Sequence, residues 1–160
     1  MRITEMSQAE SHALLARVGY GRIACARENQ PYIVPIDLVC EEDRLYAFST
    51  LGRKIEWMRA NPLVCVQADE IRGRFDWQSV IVLGRYEELS DKERSWQTLT
   101  HAMKLISERA LWWQSAYAAH ELRGHAADPS PVVFCVHVAE ISGHRATPDP
   151  ADLAAPPASP

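Results

Sequence analysis

The stretch with the greatest chemical potential runs from Phe48 to Asn61 and reads FSTLGRKIEWMRAN. Ser49 and Thr50 end a strand-like run, and Gly52, Arg53 and Lys54 stand where a short helix opens. A helix start exposes unpaired amides and the positive end of its dipole, so an anion is favoured there. The Ser and Thr hydroxyls add neutral donors, Arg53 can grip a phosphate with two bonds, and Lys54 adds a point charge. The same residues also fit an ordinary Ser/Thr helix cap with surface cations beside it. The pattern GxxxxGK[ST] is absent, so this is not a Walker A loop. Asp37 is the most conspicuous carboxylate, because an acid inside an apolar strand must find donors or shift its pKa. Trp112 and Trp113 fit core or partner packing as well as a wall facing a ligand. His120 and His125 are five residues apart with no acidic or Cys partner nearby, which describes surface histidines rather than a metal pair. His137, between Val136 and Val138, reads as a strand histidine with a polar neighbour. No HExxH helix and no Ser/His/Asp order is present, so no catalytic side chain and no metal ligand set is assigned.

These residues need elements to hold them. Ser7-Gln8-Ala9-Glu10 is a capping box, and Leu14, Leu15 and Val18 follow on one face, predicting a helix over 8–18 ended by Gly19 and Gly21. Three β-rich runs follow, at 22–27, 32–40 and 44–49, separated by polar turns, and they read as an antiparallel meander. Pro35 interrupts the middle run and marks an edge, a bulge or a bend. The helix beginning near Arg53 stops at Asn61-Pro62. Strands are predicted at 63–68 and 75–89, with a bulge at Gly84, and a last one at 132–141. A second capping box at Ser90–Glu93 precedes Trp96, Leu99, Thr100, Met103 and Ile106, the apolar face of a helix over 91–108. The tail from Ala146 to Pro160 holds five of the ten prolines and is expected to be disordered. The fold class is therefore mainly β: a small barrel of six antiparallel strands with flanking helices, one domain over 1–145 and a tail over 146–160.

Composition narrows the function classes. The chain has 160 residues, 47% apolar and 24% charged, with a formal net charge of −4. A mildly acidic chain without clustered Lys and Arg is not expected to bind nucleic acid. Its apolar runs are too short for a membrane span, and the opening MRITEMSQAESH lacks a signal-peptide core. Cys25, Cys40, Cys65 and Cys135 form no CxxC, so buried, reduced thiols and a cytoplasmic location are expected.

GRIACA, then PYIVPIDLVCEEDRLYAFSTLGRKIEWMRANPLVCVQADE, then WQSVIVLGRYEEL occur in that order and spacing. Together they resemble the flavin-nucleotide-binding split-barrel family related to pyridoxamine 5′-phosphate oxidase, in the branch that includes the nitroimidazole-resistance proteins. The resemblance implies FMN as cofactor and places it on particular residues. Ser49, Thr50, Gly52, Arg53 and Lys54 match the phosphate-binding stretch. Pro35, Ile36 and Asp37 match the strand along the isoalloxazine ring, and Trp77, Ser79 and Val80 match the strand closing over the ribityl chain and phosphate. It also implies a homodimer with the cofactor at the interface, and Trp112 and Trp113 fall where a partner-supplied wall could lie. The implied activity is passage of electrons from a reduced nicotinamide through FMN to a small nitroaromatic or quinone-type acceptor. The rival reading is a carrier or redox-sensing module for flavin or haem, with His101, His120 or His137 supplying the iron ligand. The final strand ends in SGHRA and a Pro/Ala tail rather than in the Arg-containing substrate motif of the pyridoxamine phosphate oxidases themselves, so their substrate is not implied.

Overall fold

The computed structural model describes residues 1–90, 96–108 and 132–153. Strand β1 (Arg2–Met6) leads into helix α1 (Gln8–Val18), followed by β2 (Tyr20–Arg27), β3 (Gln30–Asp37), β4 (Val39–Glu41) and β5 (Arg44–Ser49). Then come α2 (Arg53–Ala60), β6 (Leu63–Gly73), β7 (Asp76–Glu88), α3 (Trp96–Ser107), β8 (Val132–Thr147) and a helical turn at Pro150–Leu153. The strands pair in the order β3-β2-β6-β7-β8-β5-β4, with β1 also beside β8. This antiparallel barrel is the fold class expected from the sequence.

The middle run of the meander is not one strand. It breaks at Leu38, and its two pieces lie at opposite ends of the sheet path: β3 pairs with β2, and β4 pairs with β5. Leu38 is buried, and its amide donates to the Gly19 carbonyl at 3.0 Å. The chain therefore crosses from one edge to the other at that residue and rolls the sheet over its core. Pro35 lies on the edge strand β3, where a missing amide donor breaks no ladder. The break and the added strand β1 raise six expected strands to eight. Strand β1 has almost no buried residue to signal it, since its burial comes only at Met6. The bulge at Gly84 is present as a register shift between Leu83 and Gly84. Strand β8 runs on to Thr147, past the expected start of the tail.

The core lies inside the barrel. Ile23, Val64, Val66, Val80, Val82, Phe134 and Val136 point inward at alternate positions, and Leu14 and Leu15 of α1, with Ile55 and Met58 of α2, cover its openings. The α1 capping box forms as read: Ser7 Oγ accepts from the Glu10 amide, and Glu10 Oε2 accepts from the Ser7 amide at 2.8 Å. Gly19 ends the helix at φ 64°, a left-handed position that favours glycine. A β-carbon at Gly143 of β8 would collide with Ser11 Oγ, so glycine there lets α1 seat directly on the sheet.

A second apolar cluster lies outside the barrel, under α3, where Tyr46, Leu89, Val133 and Cys135 meet Ala102 and the half-buried Leu99, Leu105 and Ile106. The expected apolar face of α3 is rotated: Trp96 and Met103 are exposed. Residues 91–95, with most of the second capping box, lie outside the described residues.

Candidate functional site

Helix α2 begins without a cap. Its N-cap residue is Gly52 in extended backbone, and no side chain bonds the first-turn amides. The Ser49 hydroxyl donates instead to the Thr50 carbonyl at 3.1 Å. The ordinary Ser/Thr cap is therefore not what these residues build, and the amides at the start of α2 stay open to another acceptor.

From this start the two cations reach neighbouring strands, at Cys25 of β2 and its register partner Tyr32 of β3. Lys54 is half-buried against β2, and burial pushes its pKa below the ordinary lysine value, with the Cys25 thiol pulling it partly back. Cys25 is itself buried, and that burial raises its pKa against the pull of Lys54. Among the described residues no carboxylate pairs with Lys54. A half-desolvated ammonium without a counter-ion is costly, and an anion arriving beside it removes that cost. Arg53 is exposed and lies over the Tyr32 ring, 5.5 Å from its centroid. Tyr32 in turn meets Trp57, one helical turn beyond Arg53, at 5.6 Å between centroids. Tyr32, Trp57 and Cys25 were not singled out by the sequence, although the i, i+4 spacing of Arg53 and Trp57 places both on one helix face.

The remaining predicted positions lie on the sheet. Ile36 and Val80 are buried in the core, so only their backbone is available to a ligand. Pro35, Asp37, Trp77 and Ser79 fall on the opposite, outer parity of their strands. Pro35 is three residues from Tyr32 along β3, about 10 Å, and on the opposite face, since Tyr32 shares the inner parity of Ile36. Ser79 is farther away. The row through Cys25 crosses Val64 and reaches β7 at Gly84, five residues from Ser79, or about 17 Å along the strand. Within one chain, then, the structure groups Gly52–Lys54 with β3 and sets Trp77 and Ser79 apart. Trp112 and Trp113 lie outside the described residues.

Between these groups the outer face carries a polar network and an apolar belt. Arg22 Nη1 donates to Gln67 Oε1 at 3.2 Å and to Asp69 Oδ1 at 3.0 Å, while Gln67 Nε2 donates to Asp69 at 2.8 Å and Ser79 Oγ at 3.3 Å. Beside it, Ile33, Ala24, Cys65 and Leu83 form one register row across four strands. Ile33 is 59% exposed, Leu83 46%, and the flanking Leu63 and Ile81 63% and 45%. A contiguous apolar surface of this kind on a sheet marks an interaction face.

The histidines considered as iron ligands are engaged elsewhere. His101 Nε2 lies 2.6 Å from Glu41, and His137 Nε2 lies 2.5 Å from Glu87. His120 and His125 lie outside the described residues. No grouping of three His, Cys, Asp or Glu side chains suited to a metal occurs among the described residues. No disulfide joins the four cysteines; Cys25 and Cys135 are buried, whereas Cys40 and Cys65 are only half-buried. Burial pushes the Cys135 thiol up to about 11. No described helix is long and apolar enough to cross a membrane.

Comparison with known proteins bears on this arrangement. A family described as pyridoxamine 5′-phosphate oxidase matches residues 7–145. An uncharacterized protein of Rhizobium meliloti (strain 1021) is 37% identical over 149 residues, spanning 91% of this chain and 97% of its own. The crystal structure of a FAD-binding protein from Mesorhizobium loti is 38% identical, with a TM-score of 0.75 over 92% of this chain and 99% of that one. A candidate 5-nitroimidazole antibiotic resistance protein from Bacteroides thetaiotaomicron shares the fold at 19% identity, with a TM-score of 0.63 over 90% of this chain and 87% of that one.

Proposed function

The chain belongs to the pyridoxamine 5′-phosphate oxidase family, and from that premise we propose that it is a flavoprotein whose cofactor phosphate docks at the start of α2. The observation that carries this reading is the half-buried Lys54 ammonium, without a carboxylate partner among the described residues, beside uncapped helix amides. Lys54 neutralises the phosphate from the barrel side, and Arg53 does so from the solvent side. The Gly52–Lys54 amides add neutral donors. From there the ring system extends along β3, where Pro35 and Asp37 present backbone and carboxylate on the outer face. A bound flavin supplies two-electron chemistry between a reduced nicotinamide and a small acceptor of the nitroaromatic or quinone type. The chain's own residues bind and orient; no side chain is needed as acid, base or nucleophile.

The apolar belt is covered by a second copy of the chain in this reading. Two-fold pairing through that face brings the partner subunit's Trp77 and Ser79 toward the start of α2, which one chain alone does not do. FMN is the cofactor implied by the sequence resemblance. FAD is favoured by the Mesorhizobium loti relative, which is described as FAD-binding. The test is the visible spectrum of the purified protein together with the mass of the cofactor released on heating. Flavin bands are expected, with steady NADH or NADPH oxidation when an acceptor is added. Arg53→Ala combined with Lys54→Ala should weaken flavin binding at least about tenfold, since charged hydrogen bonds contribute about 1.5–3 kcal/mol each. A colourless protein that takes up neither flavin defeats the proposal, and a Soret band replaces it with the haem reading.

A further inference from the structure

A single phosphate held between Lys54 and the edge of Arg53 leaves the face of the Arg53 guanidinium, and the aromatic pair beneath it, without a task. Arg53, the neighbour of Lys54, reaches Tyr32, the register partner of Cys25 on the next strand, and carries an exposed guanidinium. One face of that guanidinium lies on Tyr32, and Tyr32 is backed by Trp57 at 5.6 Å. No carboxylate pairs with Arg53 among the described residues. By contrast Arg59, one and a half turns along the same helix, is fully engaged by Glu88 through two bonds of 2.7 Å. A planar cation held flat on an aromatic ring, with its other face open, is a surface on which a second planar ring stacks.

We infer that the Arg53–Tyr32–Trp57 stack is an adenine-nucleotide subsite, which seats the adenosine diphosphate end of a flavin dinucleotide and makes the protein select FAD over FMN. The inference rests on the flavin reading given above and goes beyond it, because FMN has no group to place there. Consecutive helix residues project about 100° apart, so Lys54 and Arg53 can each take one of two linked phosphoryl groups rather than compete for one. The phosphoryl group nearer the ribityl chain meets Lys54 beside Cys25. The farther one meets the guanidinium edge, and the adenine lies on its open face. Stacking on this platform and charge pairing at its edge both depend on a planar, delocalised cation, which lysine does not provide.

The test compares FAD and FMN affinities of the apoprotein by calorimetry, in the full chain and in two variants. The wild-type protein should bind FAD at least about tenfold more tightly than FMN, the scale of one base stacked on an aromatic or guanidinium face. Arg53→Lys keeps the charge on an exposed residue but not the planar stacking face, so it should lower FAD affinity more than FMN affinity and lose most of the FAD preference. Tyr32→Leu should do the same; if it does not fold, Arg53→Lys decides. Equal affinities in the wild-type protein, or an unchanged FAD-to-FMN ratio in Arg53→Lys, overturn the inference while leaving the flavin reading intact. Binding of neither flavin removes both. A loss of thermal stability with an unchanged ratio identifies the stack as a prop for α2 and overturns the inference as well.

Discussion

The starts of α1 and α2 are built to opposite specifications. At α1 the cap is closed within the chain. Ser7 and Glu10 close the capping box on each other, and the same Glu10 carboxylate pairs with Arg145 of β8. At α2 the cap is a glycine without a side-chain bond, the Ser49 hydroxyl before it turns to the backbone, and both cations lack a carboxylate among the described residues. The contrast is not between a strong helix and a weak one, since the far end of α2 is tightly tied. Arg59 grips Glu88 through two bonds, and the Tyr86 hydroxyl donates to the same carboxylate at 2.9 Å. One helix is closed by its own chain, and the other is closed at one end and held open at the other. Unmet positive charge beside well-anchored structure is the arrangement on which the proposed phosphate docking rests.

The sharpest way to break this comparison is to remove the charge at the open end. Lys54→Met should lower flavin affinity by about 10- to 100-fold, the loss of a charge-assisted bond, yet leave the apoprotein as stable or more so, because a desolvated ammonium has been replaced by an apolar chain. A fall in the apoprotein melting temperature would show that Lys54 serves the fold instead. At the closed end the effects reverse. Gly143→Ala should destabilise by about 1–3 kcal/mol in chemical denaturation, because the new methyl meets Ser11 Oγ, Met6 and Val80, while flavin affinity is unchanged. Arg59→Met should cost about 1 kcal/mol, a value already discounted for partial exposure, again without touching the cofactor.

The smallest effect expected is on acid sensitivity. Glu10 is held below the ordinary carboxylate value by the Ser7 amide and hydroxyl and by Arg145; Arg59 does the same to Glu88, and Arg17, with Arg72 adding to it, to Glu70. A depressed folded-state pKa contributes stability above the unfolded value near 4.5 that is lost as pH falls through the folded value. Urea midpoints should therefore decline below about pH 4.5, and less steeply in Glu10→Gln. Equal slopes in the two proteins would remove Glu10 from the closed end.

What the sequence disclosed follows the range of the forces involved. The start of α1 was legible because Ser7, Glu10 and Gly19 act within a few residues of one another. Strand β7 was legible from the apolar run Val80–Leu83 at its centre, and its bulge from a single glycine in the run. The crossing at Leu38 was not, because Leu38 is as apolar as Ile36 and Val39 around it and only the pairing of β3 with β2 and of β4 with β5 separates the two pieces. Strand β1 was missed for the same reason: Ile3 and Thr4 become strand through Ala146 and Arg145, at the far end of the chain. Within the candidate site, Arg53 and Lys54 could be named from type and position. That one faces Cys25 and the other Tyr32 depends on how α2 lies across β2 and β3, which no local pattern encodes.

Strand β8 binds three neighbours: β7 along most of its length, β5 through its first half and β1 through its last residues. During synthesis on the ribosome, β5 and β7 are complete long before the strand that must lie between them has been made. The nascent barrel is then a gapped sheet with two sticky margins. Those margins stay open to wrong pairing until the closing segment emerges from the exit tunnel.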